Sequence, residues 1–299
     1  MWGELISRSP RRESMKPTVL TLLILFFHLE ALALPVGADQ SLDAPIDYVS
    51  VREVEYDFNG IVAMRNCSAS LIHFAGQPKN SKAYVLTNGH CTGGLFGGFP
   101  KPGQVVYNKS DRRSMNAFVD INTRVRIRSE KLVYSTMTNT DAALFRMSET
   151  YEELEKKGVY SLELSSERPN LNEEIEIISG YWREGFSCQI ENFIFELHES
   201  DWVMKDSIRY SEKGCEVYGG TSGSPVLRKG ERVVVAVNNT GNESGNKCTM
   251  NNPCEVEANG DVNVIKGRGY AQQTYWFATC LNDNYEIDLN VDGCLLPKP

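Results

Sequence analysis

A chain of 299 residues with 41% hydrophobic content can bury a sizeable core, as one large domain or two modest ones. Its net charge of −8 argues against nucleic acid as a partner, and its scattered charges read first as solvated surface. Eight cysteines, none in a Cys-Xaa-Xaa-Cys pair, fit an exported and oxidised protein and argue against zinc, so no metal or other cofactor is expected.

Residues 18–27 form a short apolar run behind Arg11, Arg12 and Lys16, with small residues at Ala31-Leu32-Ala33 and Val36-Gly37-Ala38. This is the pattern of a signal peptide over residues 1–38, with Met15 as an alternative start. The run falls short of the roughly 20 residues of a bilayer span, so secretion to an extracellular or periplasmic space is expected, without stable membrane association. Residues 39–56 are polar and acidic, a propeptide or an amino-terminal arm.

From residue 60 onward β-rich runs alternate with turn clusters, at 61–64, 69–74, 84–87, 104–107, 117–121, 124–128 and 131–134. The Gly- and Pro-rich stretch 93–103 predicts a surface loop. Residues 148–158 predict a helix between two groups of strands, capped by Ser148 or Thr150 and ended by Gly158. Further strands are expected at 174–179, 191–197, 206–210, 225–227 and 232–237. Strands at such spacing imply an antiparallel barrel or sandwich.

The run Gly219-Gly220-Thr221-Ser222-Gly223-Ser224-Pro225 suits a nucleophilic serine, because glycines let backbone N–H groups converge beside an exposed hydroxyl. Such a serine needs a base, and the base needs an orienting carboxylate. Of the four histidines, His28 lies in the leader, while His73 and His198 follow ordinary strand-like runs. His90 stands in Thr87-Asn88-Gly89-His90-Cys91, where an apolar strand runs into a His-Cys pair. Asp141 heads the apolar run Ala142-Ala143-Leu144-Phe145, and a carboxylate drawn inward there needs a partner such as an imidazole N–H.

Together, in the order His, Asp, Ser, these stretches resemble the three signatures of trypsin-like (chymotrypsin-fold) serine proteases, over about residues 58–280. The resemblance implies an all-β fold of two antiparallel six-stranded barrels, an active site in the cleft between them, and a short carboxy-terminal helix formed by the run 270–281. It implies a peptidase domain over 57–281, divided near 148–160, with a disulfide-tethered tail at 282–299. It assigns Ser222 as nucleophile, His90 as base, Asp141 as orienting acid, and the N–H groups of Gly220 and Ser222 as oxyanion donors. It also pairs Cys67 with Cys91. Nearness in sequence suggests Cys248–Cys254 and Cys280–Cys294, which leaves Cys188–Cys215. In activatable members an aspartate precedes the serine and receives a freed amino terminus; here that residue is Thr221.

Glu216 resembles the floor of the primary specificity pocket, which would favour Arg or Lys. Yet residues 218–226 look closer to the bacterial-type glutamyl endopeptidase branch, whose carboxylate-binding histidine is replaced here by Asn238, so neither preference is favoured. Asn66, Asn108, Asn238 and Asn242 have the form of glycosylation acceptors. The tail's Asp288-Leu289-Asn290-Val291-Asp292-Gly293 begins a calcium-loop pattern, but its twelfth position is Pro299, so a turn is expected. The expectation is a monomeric secreted serine endopeptidase acting on proteins or peptides. The alternatives are a catalytically silent homologue that binds through the same cleft, and an esterase-like hydrolase.

Overall fold

The computed structural model describes residues 55–93 and 98–299. The expected signal peptide, the arm up to residue 54 and part of the 93–103 loop lie outside the described residues.

Runs rich in Val, Ile, Leu and Tyr form the first strands, as such side chains pack well on a pleated surface. They are β1 (Ile61–Ala63), β2 (Ser68–Phe74), β3 (Lys82–Thr87), β4 (Val105–Ser110), β5 (Ser114–Phe118), β6 (Arg124–Thr136) and β7 (Ala142–Thr150). Hydrogen-bonded neighbours run β1-β5-β6-β7-β3-β2, and β2 pairs back onto β1, closing a six-stranded antiparallel barrel. The long β6 serves β5 with residues 124–128 and β4 with residues 131–136. Leu71, Val85, Met115, Ile127 and Phe145 fill this barrel.

A one-turn helix, α1 (Tyr151–Glu155), follows β7. The expected helix is shorter than 148–158 because Thr150 holds the cap: it accepts the Glu153 N–H while the Glu153 carboxylate takes the Thr150 N–H, and Ser148 stays in β7. Next comes β8 (Leu162–Leu164), parallel to both β2 and β13 (Val233–Gly241).

The second group comprises β9 (Glu174–Ser179), β10 (Glu184–Glu199), β11 (Trp202–Tyr210), β12 (Pro225–Arg228), β13, β14 (Cys254–Val256), β15 (Val262–Asn263) and β16 (Gly269–Gln273). The order β13-β12-β9-β10-β11-β16 closes through β13–β16 into a second antiparallel ring of six. The ribbon of β14 and β15 lies against β10. Ile177, Ile190, Ile208, Val226 and Val235 form this barrel's core. A separate cluster joins both barrels, with Ile72 and Leu86 from one and Leu227 and Val237 from the other.

The expected 124–128 and 131–134 are one strand, β6, and β10, β11 and β13 run longer than expected; two other runs differ more. The strand expected at 117–121 lies earlier, at Ser114–Phe118: β5 ends at Phe118, and the Asp120 carboxylate takes the N–H groups of Asn122 and Thr123, turning the chain. Residues 270–281 are not one helix: Gly269–Gln273 is strand β16, and only Tyr275–Ala278 is helical, as α2. At Gly269 a Cβ would meet Val217 Cγ2 at 2.6 Å, so the glycine admits this strand against its neighbours. The disulfides are Cys67–Cys91, Cys188–Cys215, Cys248–Cys254 and Cys280–Cys294. In the tail, Ile287, Leu289 and Leu296 are buried with Phe277, and the Asp288 carboxylate takes the Asn290 N–H in a turn.

Candidate active site

β3 delivers His90 into a short 3₁₀ turn, His90–Thr92. Gly89 lets that turn press against β6, since a Cβ there would stand 1.9 Å from the Thr136 carbonyl oxygen. Asp141, at the head of β7, is 1% exposed. One of its oxygens, Oδ1, accepts the His90 backbone N–H at 3.0 Å; the other, Oδ2, lies 2.6 Å from His90 Nδ1. Its own carbonyl accepts Asn88 Nδ2 at 2.8 Å. Burial works against a charged imidazole at His90, but the charge and hydrogen bond of Asp141, with help from Glu199, outweigh it and raise the pKa. The other described histidines are engaged elsewhere, His73 with Ser161 and His198 with Glu196.

Ser222 arrives from the other barrel. Gly223 has φ +82°, and a Cβ there would stand 2.1 Å from the Ser68 carbonyl and 2.2 Å from Thr87 Oγ1. That closeness brings the serine loop onto β2, where Ser68 N–H donates to the Ser222 carbonyl at 2.7 Å. The Cys67–Cys91 disulfide ties the start of β2 to the His90 turn. His90 and Ser222 thus line one cleft, with Phe99, Glu199, Thr240 and Gly241 among its other walls. The Ser222 hydroxyl donates to the Asn239 carbonyl at 3.1 Å rather than to the imidazole.

The N–H groups of Gly220 and Ser222 meet no protein acceptor among the described residues. Trp182 donates its indole N–H to the Gly219 carbonyl at 2.9 Å. Because the peptide unit is planar and trans, this bond aims the Gly220 N–H away from Trp182.

Glu216 is exposed and bonds back to the Gly214 N–H; it is not part of the cleft wall. Asn238 does reach the cleft, but its amide is committed internally. Its Nδ2 donates to the carbonyl and hydroxyl of Thr221, and its Oδ1 accepts Tyr210 OH. The serine loop is therefore held by a neutral network at the position where an incoming ammonium would find no acid. Asn238 and Asn242 are 1% exposed and so closed to a glycan in the folded chain, while Asn66 and Asn108 are exposed. Cys67 and Cys91 lie near His90, but, bonded to each other, they have no thiolate to offer a metal.

Sequence reasoning missed Glu199. In Glu199-Ser200-Asp201 it looks like a solvated turn acid, yet it is 7% exposed and walls the cleft. Residue 251, in the loop closed by Cys248–Cys254, covers it: Asn251 N–H donates to Glu199 Oε1 at 2.7 Å. Burial raises its pKa against that hydrogen bond.

Residues 72–237 match the family described as the trypsin-like peptidase domain. A search of curated proteins finds no match to the chain. Among solved structures, the MamO protease domain from Magnetospirillum magneticum is similar at 12% identity and TM-score 0.46, covering 76% of this chain and 97% of its own. Nocardiopsis protease is similar at 16% identity and TM-score 0.41, covering 73% and 93%. Cellulomonas bogoriensis chymotrypsin is similar at 16% identity and TM-score 0.36, covering 73% and 90%.

Proposed function

Because the chain belongs to the trypsin-like peptidase family, we propose that it is a secreted serine endopeptidase, with a peptidase domain over 57–281 and a tethered tail at 282–299. Ser222 is the nucleophile, His90 the general base and Asp141 its orienting partner. The observation that carries this reading is the 2.6 Å contact of His90 Nδ1 with a buried Asp141, in a cleft that also holds Ser222. With Nδ1 engaged by the carboxylate, Nε2 is the nitrogen free to take a proton.

In this mechanism Ser222 Oγ turns from Asn239 toward the imidazole and attacks the peptide carbonyl, and His90 takes its proton. The oxyanion meets the open N–H groups of Gly220 and Ser222, and losing such a donor typically costs on the order of 3 kcal/mol of barrier lowering. The C–N bond breaks as His90 protonates the leaving amine, giving an acyl-enzyme. Water, deprotonated by His90, then releases the acid. Beyond Asn238, whose N–H and carbonyl still bond to Ser224 and Gly223, β13 runs along the cleft past the end of β12, so an extended peptide can add there as a strand.

The test is a fluorophosphonate label with peptide and ester turnover by the mature, oxidised protein. A label on Ser222 that disappears in Ser222→Ala, with peptide cleavage, is the expected result. Ester turnover without peptide turnover points to an esterase-like hydrolase. The bond from Ser222 Oγ to the Asn239 carbonyl favours one further reading, a silent homologue that binds peptides; absence of both label and turnover selects it.

A further inference from the structure

Three carboxylates are buried among the described residues: Asp141, Glu255 and Glu199. Burying an ionised carboxylate without a compensating cation is costly, so buried acids are normally paired. Asp141 has His90 at 2.6 Å. Glu255 has Arg209 at 2.7 Å and the Tyr270 hydroxyl at 2.9 Å. Glu199 is the exception. It accepts the Asn251 N–H with the Thr240 hydroxyl beside it, the charge that reaches it is that of a protonated His90, and it has no ion pair with a Lys or Arg among the described residues. It is also the one of the three that walls the substrate cleft without belonging to the His90–Asp141 pair.

The rest of that wall fits the same occupant. It contains no Lys or Arg, and Glu243 adds a second acid near the mouth. Phe99, Met137 and Met250 supply apolar and aromatic surface between, suited to an aliphatic stem or the face of a guanidinium. Phe99 also stands edge-on to His90, with ring centroids 5.8 Å apart, so this surface adjoins the reacting groups.

We infer that Glu199 is a recognition carboxylate that takes a cationic group of the substrate, held beside the bond that Ser222 cuts. The inference rests on the peptidase reading and adds to it a substrate class, peptides with a positive charge close to the scissile bond. The cation supplies the permanent positive partner that Glu199 lacks whenever His90 is neutral, as a base must be. Its source is either a lysine or arginine side chain or a free amino terminus.

Positional-scanning fluorogenic peptides, acetylated and unacetylated, test this on wild type, Glu199→Gln and Glu199→Asp. Gln keeps the acceptor for Asn251 N–H and removes the charge; Asp keeps the charge. In wild type, kcat/KM should favour basic residues at one position near the cleaved bond, and Glu199→Gln should lower the basic-over-neutral ratio by about 10-fold or more. Glu199→Asp should retain most of that ratio. A preference seen only in unacetylated peptides assigns the amino terminus as the cation; one that survives acetylation assigns the side chain. In thermal melts without substrate, at a pH where His90 is neutral, Glu199→Gln should be at least as stable as wild type, because it removes a buried carboxylate that then has no cation. A merely structural Glu199 predicts the opposite melt and no change in ratio. Cleavage by wild type with an unchanged profile in Glu199→Gln overturns this inference and leaves the peptidase reading standing. No cleavage by wild type overturns both.

Discussion

An ordinary imidazole is half protonated near pH 6.5. That of His90 holds its proton to higher pH: burial opposes the charge, but Asp141, by charge and hydrogen bond, prevails. As a base His90 must be neutral, so we predict an acid limb in kcat/KM with its midpoint above 6.5. Asp141→Asn should move that midpoint down and lower kcat by roughly four orders of magnitude. The Asn side chain can still accept the His90 backbone N–H, but it presents an amide donor to Nδ1 and selects the wrong tautomer. An unmoved limb in this variant would remove His90 as the titrating base. Trp182 bears on the same chemistry from the other side. Its indole bond to the Gly219 carbonyl fixes a peptide unit next to Gly220, at φ +94°. Trp182→Phe keeps a ring and loses the donor, freeing that unit to flip. The expected outcome is a fall in kcat of up to about 100-fold with little change in KM, partly recovered by Trp182→His, whose ring carries an N–H. Equal kcat in Trp182→Phe and wild type would show that the unit holds its orientation unaided.

Between the two barrels, Gly223 is a tight point, where the serine loop meets β2 and β3. Gly223→Ala places a methyl group 2.1 Å from a backbone oxygen, in a φ region unsuited to alanine. The expected cost is of the order of 3–5 kcal/mol, or a melting temperature lower by about 10 °C. Calorimetry showing wild-type stability would mean that the two barrels can part at this point. Most strands were legible because their side chains advertise a pleated, half-buried surface. The errors have local causes. Asp120 turns a run that looks extended, and Gly269 begins a strand in a run that the resemblance made a helix. β8 escaped notice because three residues carry too little pattern, and its parallel pairing depends on partners far away in sequence.

For the molecule as a whole, the tail is part of the fold. Ile287, Leu289 and Leu296 are each at most 4% exposed, and burying such side chains contributes about 1.5–3 kcal/mol apiece. The hydroxyls of Tyr84, Tyr107 and Tyr134 donate to tail carbonyls. A chain ending at Leu281 is therefore predicted to lose cooperative unfolding; a truncated chain with a sharp, wild-type-like melt would contradict this. The placement of His90, Asp141 and Ser222 on one cleft could be expected from local motifs, because each carries its own glycine or apolar signature. Glu199 could not, since its burial depends on a loop about fifty residues further on. One feature reaches beyond the site. β8 bonds to a strand of each barrel, so the two halves share a member and lack the slack of a hinge. A shared strand resists their opening around a bulky globule. Under the proposed activity, a peptidase so clasped would take what is already slack and slender: its cuts would fall in tethers, frayed ends and protruding loops, sparing tightly folded bodies, so that the shape of a target would govern its fate before its sequence did.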